Sequence, residues 1–150
     1  MHPANDLGYS LQHVAGLLAK QSDQVLQEQL GIGHAQFKLL RELQDRPYMK
    51  QKDVAESLGQ TEASISRQVK LMVARGLLHI TRNPRNRREH LTQVTAKGAK
   101  LTDAAVAVLN KYHAPVFATL NDKQQVQLRE IFATLHGKVC GSEYPADAAS

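Results

Sequence analysis

Gln51-Lys52-Asp53-Val54-Ala55-Glu56-Ser57-Leu58-Gly59-Gln60-Thr61-Glu62-Ala63-Ser64-Ile65-Ser66-Arg67-Gln68-Val69-Lys70 is the stretch on which the fold turns. Ala55, then Gly59 four residues on, then Ile65 six beyond that, form a spacing with a physical meaning. A small residue lets two helices cross closely, and Gly takes the positive φ of a tight turn. An apolar residue on the second helix then packs back onto the first. Val54, Leu58, Ile65, Val69 and Met72 supply that shared core. Thr61 is the expected N-cap of the second helix, which ends at Arg75-Gly76, where Gly suits the left-handed C-terminal position. The segment reads as a helix-turn-helix.

The other face of the second helix carries the chemistry. At about 100° per residue from Ile65, the residues Ala63, Arg67, Lys70 and Ala74 point away from the core, with Ser64 and Ser66 flanking. Small and hydroxyl-bearing residues with cations behind them suit entry into a DNA major groove. Arg can fork onto guanine O6 and N7, whereas Ser and Lys more often hold phosphates. The plainer reading is a solvated helix face, and the turn spacing favours the groove.

Directly downstream, Arg82, Arg85, Arg87 and Arg88 fall within seven residues. β-prone runs at 77–82 and 90–94 flank the polar segment 83–89, which reads as a hairpin loop. A basic hairpin tip in this position can cross the DNA backbone and seat an Arg in a narrow minor groove. The candidate DNA-binding residues are therefore Thr61, Ser64, Ser66, Arg67, Lys70, Arg85, Arg87 and Arg88.

Working outward, Leu7, Leu11, Val14, Leu18 and Val25 predict a helix over 7–29. A second helix is expected over 34–44, with Phe37, Leu40 and Leu43 inside and Pro47 closing the segment. Leu101, Ala105, Val108 and Tyr112 predict another that ends at Pro115. Asn121 with Gln124 forms a capping-box signal for a last helix, whose apolar face is Leu128, Ile131, Phe132, Leu135 and Val139. The tail, 141–150, is small and polar and expected to fray. The expected class is mainly α with a small β wing (α+β), a winged helix-turn-helix over 34–97 flanked by helical segments 7–29 and 99–138.

Charge agrees with a polyanionic partner. The 150 residues carry a net charge of +5, with −2 in residues 1–45, +8 in 46–100 and −1 in 101–150. Focusing all of the positive excess in the middle third favours double-stranded DNA over a membrane surface, which would prefer a basic amphipathic helix. No apolar run approaches the roughly 20 residues of a membrane span, and residues 1–10 lack the build of a secretory signal. The single cysteine, Cys140, excludes an intramolecular disulfide, so a soluble cytoplasmic protein is expected.

There is no nucleophile motif, phosphate-cradling loop or paired-carboxylate scaffold, so no enzyme, catalytic residue or cofactor is expected. None of the seven histidines is paired at i, i+4, and no metal is expected. Cys140, with Lys138 near it, reads as an incidental thiol.

In these residues the chain resembles the multiple-antibiotic-resistance regulator (MarR) family. The likeness runs through Gly33-His34-Ala35-Gln36-Phe37, Asp53-Val54-Ala55-Glu56-Ser57-Leu58-Gly59 and Ala63-Ser64-Ile65-Ser66-Arg67. It continues in Arg75-Gly76-Leu77-Leu78, Asn83-Pro84-Arg85-Asn86-Arg87-Arg88 and Val94-Thr95-Ala96-Lys97-Gly98, in order from about Leu7 to His136. The resemblance implies a homodimer built from the first and last helices, on a pseudo-palindromic site with recognition helices about 34 Å apart.

It further implies a sequence-specific transcriptional regulator, a repressor released by a small-molecule effector. The alternative from another class is a nonspecific nucleoid-type DNA binder. By resemblance alone, Leu11, His13, Phe37, Leu40, Leu43 and Tyr112 would line the effector crevice, and each reads equally as plain core. One departure stands out: many members carry acids where this chain has Asn83 and Asn86, bracing the wing arginines by ion pairs. A looser, more positive wing is expected here, and restoring Asp at both positions should flatten the salt dependence of binding.

Overall fold

In a computed structural model, which describes residues 6–140, the elements run α1 (Leu7–Leu30), α2 (His34–Asp45), α3 (Gln51–Leu58), α4 (Glu62–Ala74), β1 (Leu78–Asn83), β2 (Asn86–Val94), α5 (Ala96–Phe117) and α6 (Asp122–Cys140). The fold is mainly helical with one two-stranded antiparallel sheet among the described residues. The tail expected to fray, 141–150, and the Cys140 side chain lie outside the described residues. The chain divides after Leu109 into two units.

In the first unit, the helix-turn-helix forms for the reasons its spacing suggests. Gly59 ends α3 at φ 64, and its N–H donates to the carbonyls of Ala55 and Glu56. Two residues on, Thr61 Oγ1 accepts the Ser64 N–H at 3.1 Å and opens α4. The core beneath is Leu39, Leu40 and Leu43 of α2, Val54 and Ala55 of α3, and Ile65, Val69 and Met72 of α4, closed by Leu77 and Leu78. Each fully buried leucine of this kind contributes about 1.5–3 kcal/mol, so this cluster fixes α4 against its neighbours. A second cluster joins Val25 and Leu26 of α1 and Ile32 to Ala105 and Leu109 of α5.

The start of α5 is tied to the end of α4. Thr95 Oγ1 donates to the Gly76 carbonyl at 2.6 Å, and Lys97 Nζ donates to the Arg75 carbonyl at 2.9 Å. A cation at a helix C-terminus meets the carbonyls that the helix leaves unpaired. Gly98 is buried because the Leu77 carbonyl lies where a Cβ would stand.

Two sequence expectations change. The segment 83–89 is largely not a loop, because β2 begins at Asn86 and only Pro84 and Arg85 separate the strands. Asparagine side chains hold this tight turn: Asn83 Oδ1 accepts the Arg85 N–H at 3.0 Å and Asn86 Oδ1 accepts the Arg88 N–H at 3.2 Å. Likewise α5 does not stop at Pro115 but runs to Phe117. Proline there lies in the last turn and forfeits one hydrogen bond to the exposed Lys111, which water can replace.

In the second unit, the capping box at Asn121 forms in both directions. Asn121 N–H donates to Gln124 Oε1 at 3.0 Å, and Gln124 N–H donates to Asn121 Oδ1 at 2.8 Å. Gln125 Nε2 donates to the carbonyls of Phe117 and Leu120, closing the turn into α6. Of the expected apolar face, Leu128 is half-buried, whereas Ile131, Phe132, Leu135 and Val139 are exposed. No described helix is long and apolar enough to cross a membrane.

Candidate nucleic-acid interface

The outward face of α4 is the one the periodicity points to. Ala63, Arg67, Lys70 and Ala74 are exposed, while Ser64 and Ser66 are half-buried at its margins. Thr61 has a local task, since its oxygen caps the helix. Ser64 Oγ donates to Gln60 Oε1 at 3.3 Å, which orients that hydroxyl beside the helix start. Leu71 is also exposed, an apolar neighbour of Lys70 that the polar reading of this face did not single out.

The cations are unspent. Ion pairs among the described residues join Arg41 to Asp45, Arg46 to Glu42 and Lys50 to Glu89. None engages Arg67, Lys70, Arg85, Arg87 or Arg88, all of which are exposed. Unpaired guanidinium and ammonium groups on one helix face and the adjoining hairpin are suited to phosphates and base edges.

The wing is braced, but not as the acidic pattern of related chains would do it. Asn83 Nδ2 donates to Glu89 Oε2 at 3.2 Å, and Lys50 Nζ meets Glu89 Oε1 at 2.6 Å. The hydrogen bond from Lys50, then that from Asn83, holds the Glu89 carboxyl below its ordinary pKa. The hydrogen bond to Glu89 and its charge raise Lys50. Asn83 acts as both donor and acceptor, which Asp could not do, so the wing has a contact here of another kind than an ion pair to its arginines. An Asp at position 83 would set a carboxylate against that of Glu89, so restoring the acid there would loosen the wing.

Lys50, Glu89 and the two-way role of Asn83 were missed in the sequence. The available signal was one carboxylate closing a run of four arginines. Tyr48, Lys50, Asn83, Pro84, Arg85, Glu89 and Leu91 line a cleft of about 420 Å³ at the root of the wing.

The residues suggested for an effector crevice differ in burial. Leu40 and Leu43 are core side chains among α3 and α4 residues and have no surface to offer. Phe37 is half-buried against the second cluster. Leu11 and His13 are exposed on α1, His13 stacking on Tyr9 at 5.8 Å between centroids. Tyr112 is exposed in the second unit. Among the described residues, no three His, Cys, Asp or Glu side chains are grouped to hold a metal.

A helix-turn-helix followed by an arginine-bearing hairpin, with α5 tied back beneath it, is a winged-helix fold of the DNA-binding kind. Residues 30–89 match the sequence model of the MarR family. CouR from Rhodococcus jostii RHA1, solved bound to p-coumaroyl-CoA, is 25% identical with a TM-score of 0.78, over 94% of this chain and 96% of that one. A MarR-family transcriptional regulator from Rhodococcus sp. RHA1 is also 25% identical, with a TM-score of 0.81 over 94% and 97%.

The transcriptional repressor CouR bound to a 23-mer DNA duplex shares the fold at 24% identity, with a TM-score of 0.77 over 90% and 96%. No curated protein matches the chain by sequence. Residues 30–89 thus carry the MarR-family sequence pattern, and the fold is shared with MarR-family transcriptional regulators of known structure.

Proposed function

We propose that this chain is a homodimeric, sequence-specific DNA-binding repressor of the cytoplasm, released from a pseudo-palindromic operator by a small-molecule effector. The observation that carries the reading is the free cationic surface: Arg67 and Lys70 on α4 and Arg85, Arg87 and Arg88 on the wing lack acidic partners among the described residues. Ser64, Ser66 and Thr61 at the start of α4 would approach the major groove, and the wing would lie along the flanking backbone.

Self-association is supported by apolar surface that a monomer has no reason to show. On α1, Leu7, Leu11, Val14 and Leu17 are exposed; on α6, Val126, Ile131, Phe132 and Leu135 are. Side chains of this size at helical spacing call for a partner surface, and a second copy is the one at hand. The effector part of the reading draws on CouR, which has been solved with an acyl-CoA and with DNA.

The test is fluorescence anisotropy at physiological salt, with duplex from just upstream of the chain's own gene beside a scrambled duplex. A preference of about 10³ or more, weakened in Arg67→Ala and Arg87→Ala, is the expected result. Equal, salt-sensitive binding to every upstream duplex tried would overturn sequence specificity and leave a DNA-coating protein.

A further inference from the structure

One carboxylate stands inside the wing's cluster of cations. For a surface that meets phosphates, each carboxylate is a Coulombic cost, and Glu89 also occupies Lys50, a cation that would otherwise be free. Its geometry suggests what offsets that cost. In the ladder, Arg82 pairs with His90 and Asn83 pairs with Asn86. Arg87, Arg88 and Glu89 therefore fall between these pairs without opposite partners, as a bulge in β2. A bulge re-aims side chains but gives up ladder hydrogen bonds, so something else must set its direction.

Both oxygens of Glu89 are engaged, on different elements. Oε1 meets Nζ of Lys50, which stands at the N-cap position immediately before α3. Oε2 accepts from Nδ2 of Asn83 at the end of β1. Asn83 in turn holds the Arg85 N–H through Oδ1. A continuous chain of bonds thus runs from the helix-turn-helix, through the bulge, to the wing tip.

We propose that Glu89 is a positioning residue, which through Lys50 and Asn83 sets Arg85, Arg87 and Arg88 at a defined distance and angle from the recognition helix α4. The inference deepens the DNA-binding reading and rests on it for its purpose, but the brace itself belongs to the free protein. Glu89 touches no DNA in this scheme; it sets where the arginines fall.

Charge and positioning make opposite forecasts for Glu89→Gln. Removing a negative charge alone would strengthen binding to any duplex. Loss of the brace would instead lower the ratio of preferred to scrambled binding, by a factor of about five, the upper end of what an exposed ion pair contributes. The double variant Lys50→Met/Glu89→Gln keeps the net charge, so its affinity for the scrambled duplex should match that of the unmodified protein while the ratio still falls. Lys50→Arg retains the cation and should retain the ratio.

The experiment pairs these titrations with amide hydrogen exchange of the DNA-free protein over residues 83–90. Exchange there should quicken several-fold in Glu89→Gln and stay near that of the unmodified protein in Lys50→Arg. Unchanged wing exchange in Glu89→Gln, or tighter binding to both duplexes at a constant ratio, would overturn the proposal. If the unmodified protein prefers no duplex, the repressor reading fails instead, and the exchange measurement still decides whether Glu89 holds the wing.

Discussion

Gly98→Ala places a methyl carbon 2.2 Å from the Leu77 carbonyl oxygen and 2.9 Å from Val94 Cγ1. Real Cβ contacts below 3.0 Å essentially never occur, so the first turn of α5 must move off the hairpin by the better part of an ångström. The Leu77 carbonyl cannot simply turn aside, because it accepts the Thr95 N–H at 3.1 Å. Nor can the helix start slide freely, because Thr95 Oγ1 accepts from the Gly98 N–H at 3.0 Å while donating to Gly76. Overpacking of this kind costs about 1–3 kcal/mol, and a weakened hydrogen bond adds about 1. Alanine's helix propensity recovers up to about 1 kcal/mol.

The net expectation is a loss of about 1–3 kcal/mol, which for a chain of this length lowers Tm by about 2–12 °C. Thermal unfolding followed by circular dichroism at 222 nm, at fixed protein concentration, measures it. Gly59→Ala is the comparison: its Cβ meets nothing within 4 Å, but φ of 64 is strained for alanine. That strain costs about 1–2 kcal/mol. A Gly98→Ala protein melting within a degree of the unmodified one would refute the close-approach argument.

Other perturbations probe the remaining links. Lys70→Ala should weaken binding to preferred and scrambled duplexes alike and reduce the salt slope by about one, as loss of a phosphate contact does; titrations at several salt concentrations read both effects. Thr61→Ala removes the oxygen that caps α4 and should cost about 1 kcal/mol in urea unfolding.

The Glu89 brace should also depend on pH. Its folded pKa lies below the ordinary 4.5, so its contribution is present above that value and is lost as pH falls through the lowered folded pKa. Lys50, raised above 10.5, contributes fully below that value and loses its contribution as pH rises through the raised pKa. The stability difference between the unmodified protein and Glu89→Gln should therefore hold across neutral pH and vanish in acid. A difference that persists below both carboxyl pKa values would exclude the charge as its source.

Much of this architecture is local in origin, which is why it can be read along the chain. Gly59 and Thr61 act within one turn of where they stand, and so does the Asn121–Gln124 box. Helical periodicity likewise separates Ile65 and Val69 from Arg67 and Lys70 without reference to anything distant. The strand boundaries at the wing were less legible, because asparagine and proline signal a turn without saying how short it is.

Sequence by itself determined the helix-turn-helix, the cationic face of α4 and the concentration of arginines after it, since spacing and composition are properties of the chain. Tertiary structure alone decided that Glu89 meets Lys50 across 39 positions, that Asn83 donates as well as accepts, and that Leu40 and Leu43 close into the core. It also decided that Gly98 lies beneath the Leu77 carbonyl. These contacts join residues far apart in sequence, and their distances exist only once α3, the hairpin and α5 have packed together.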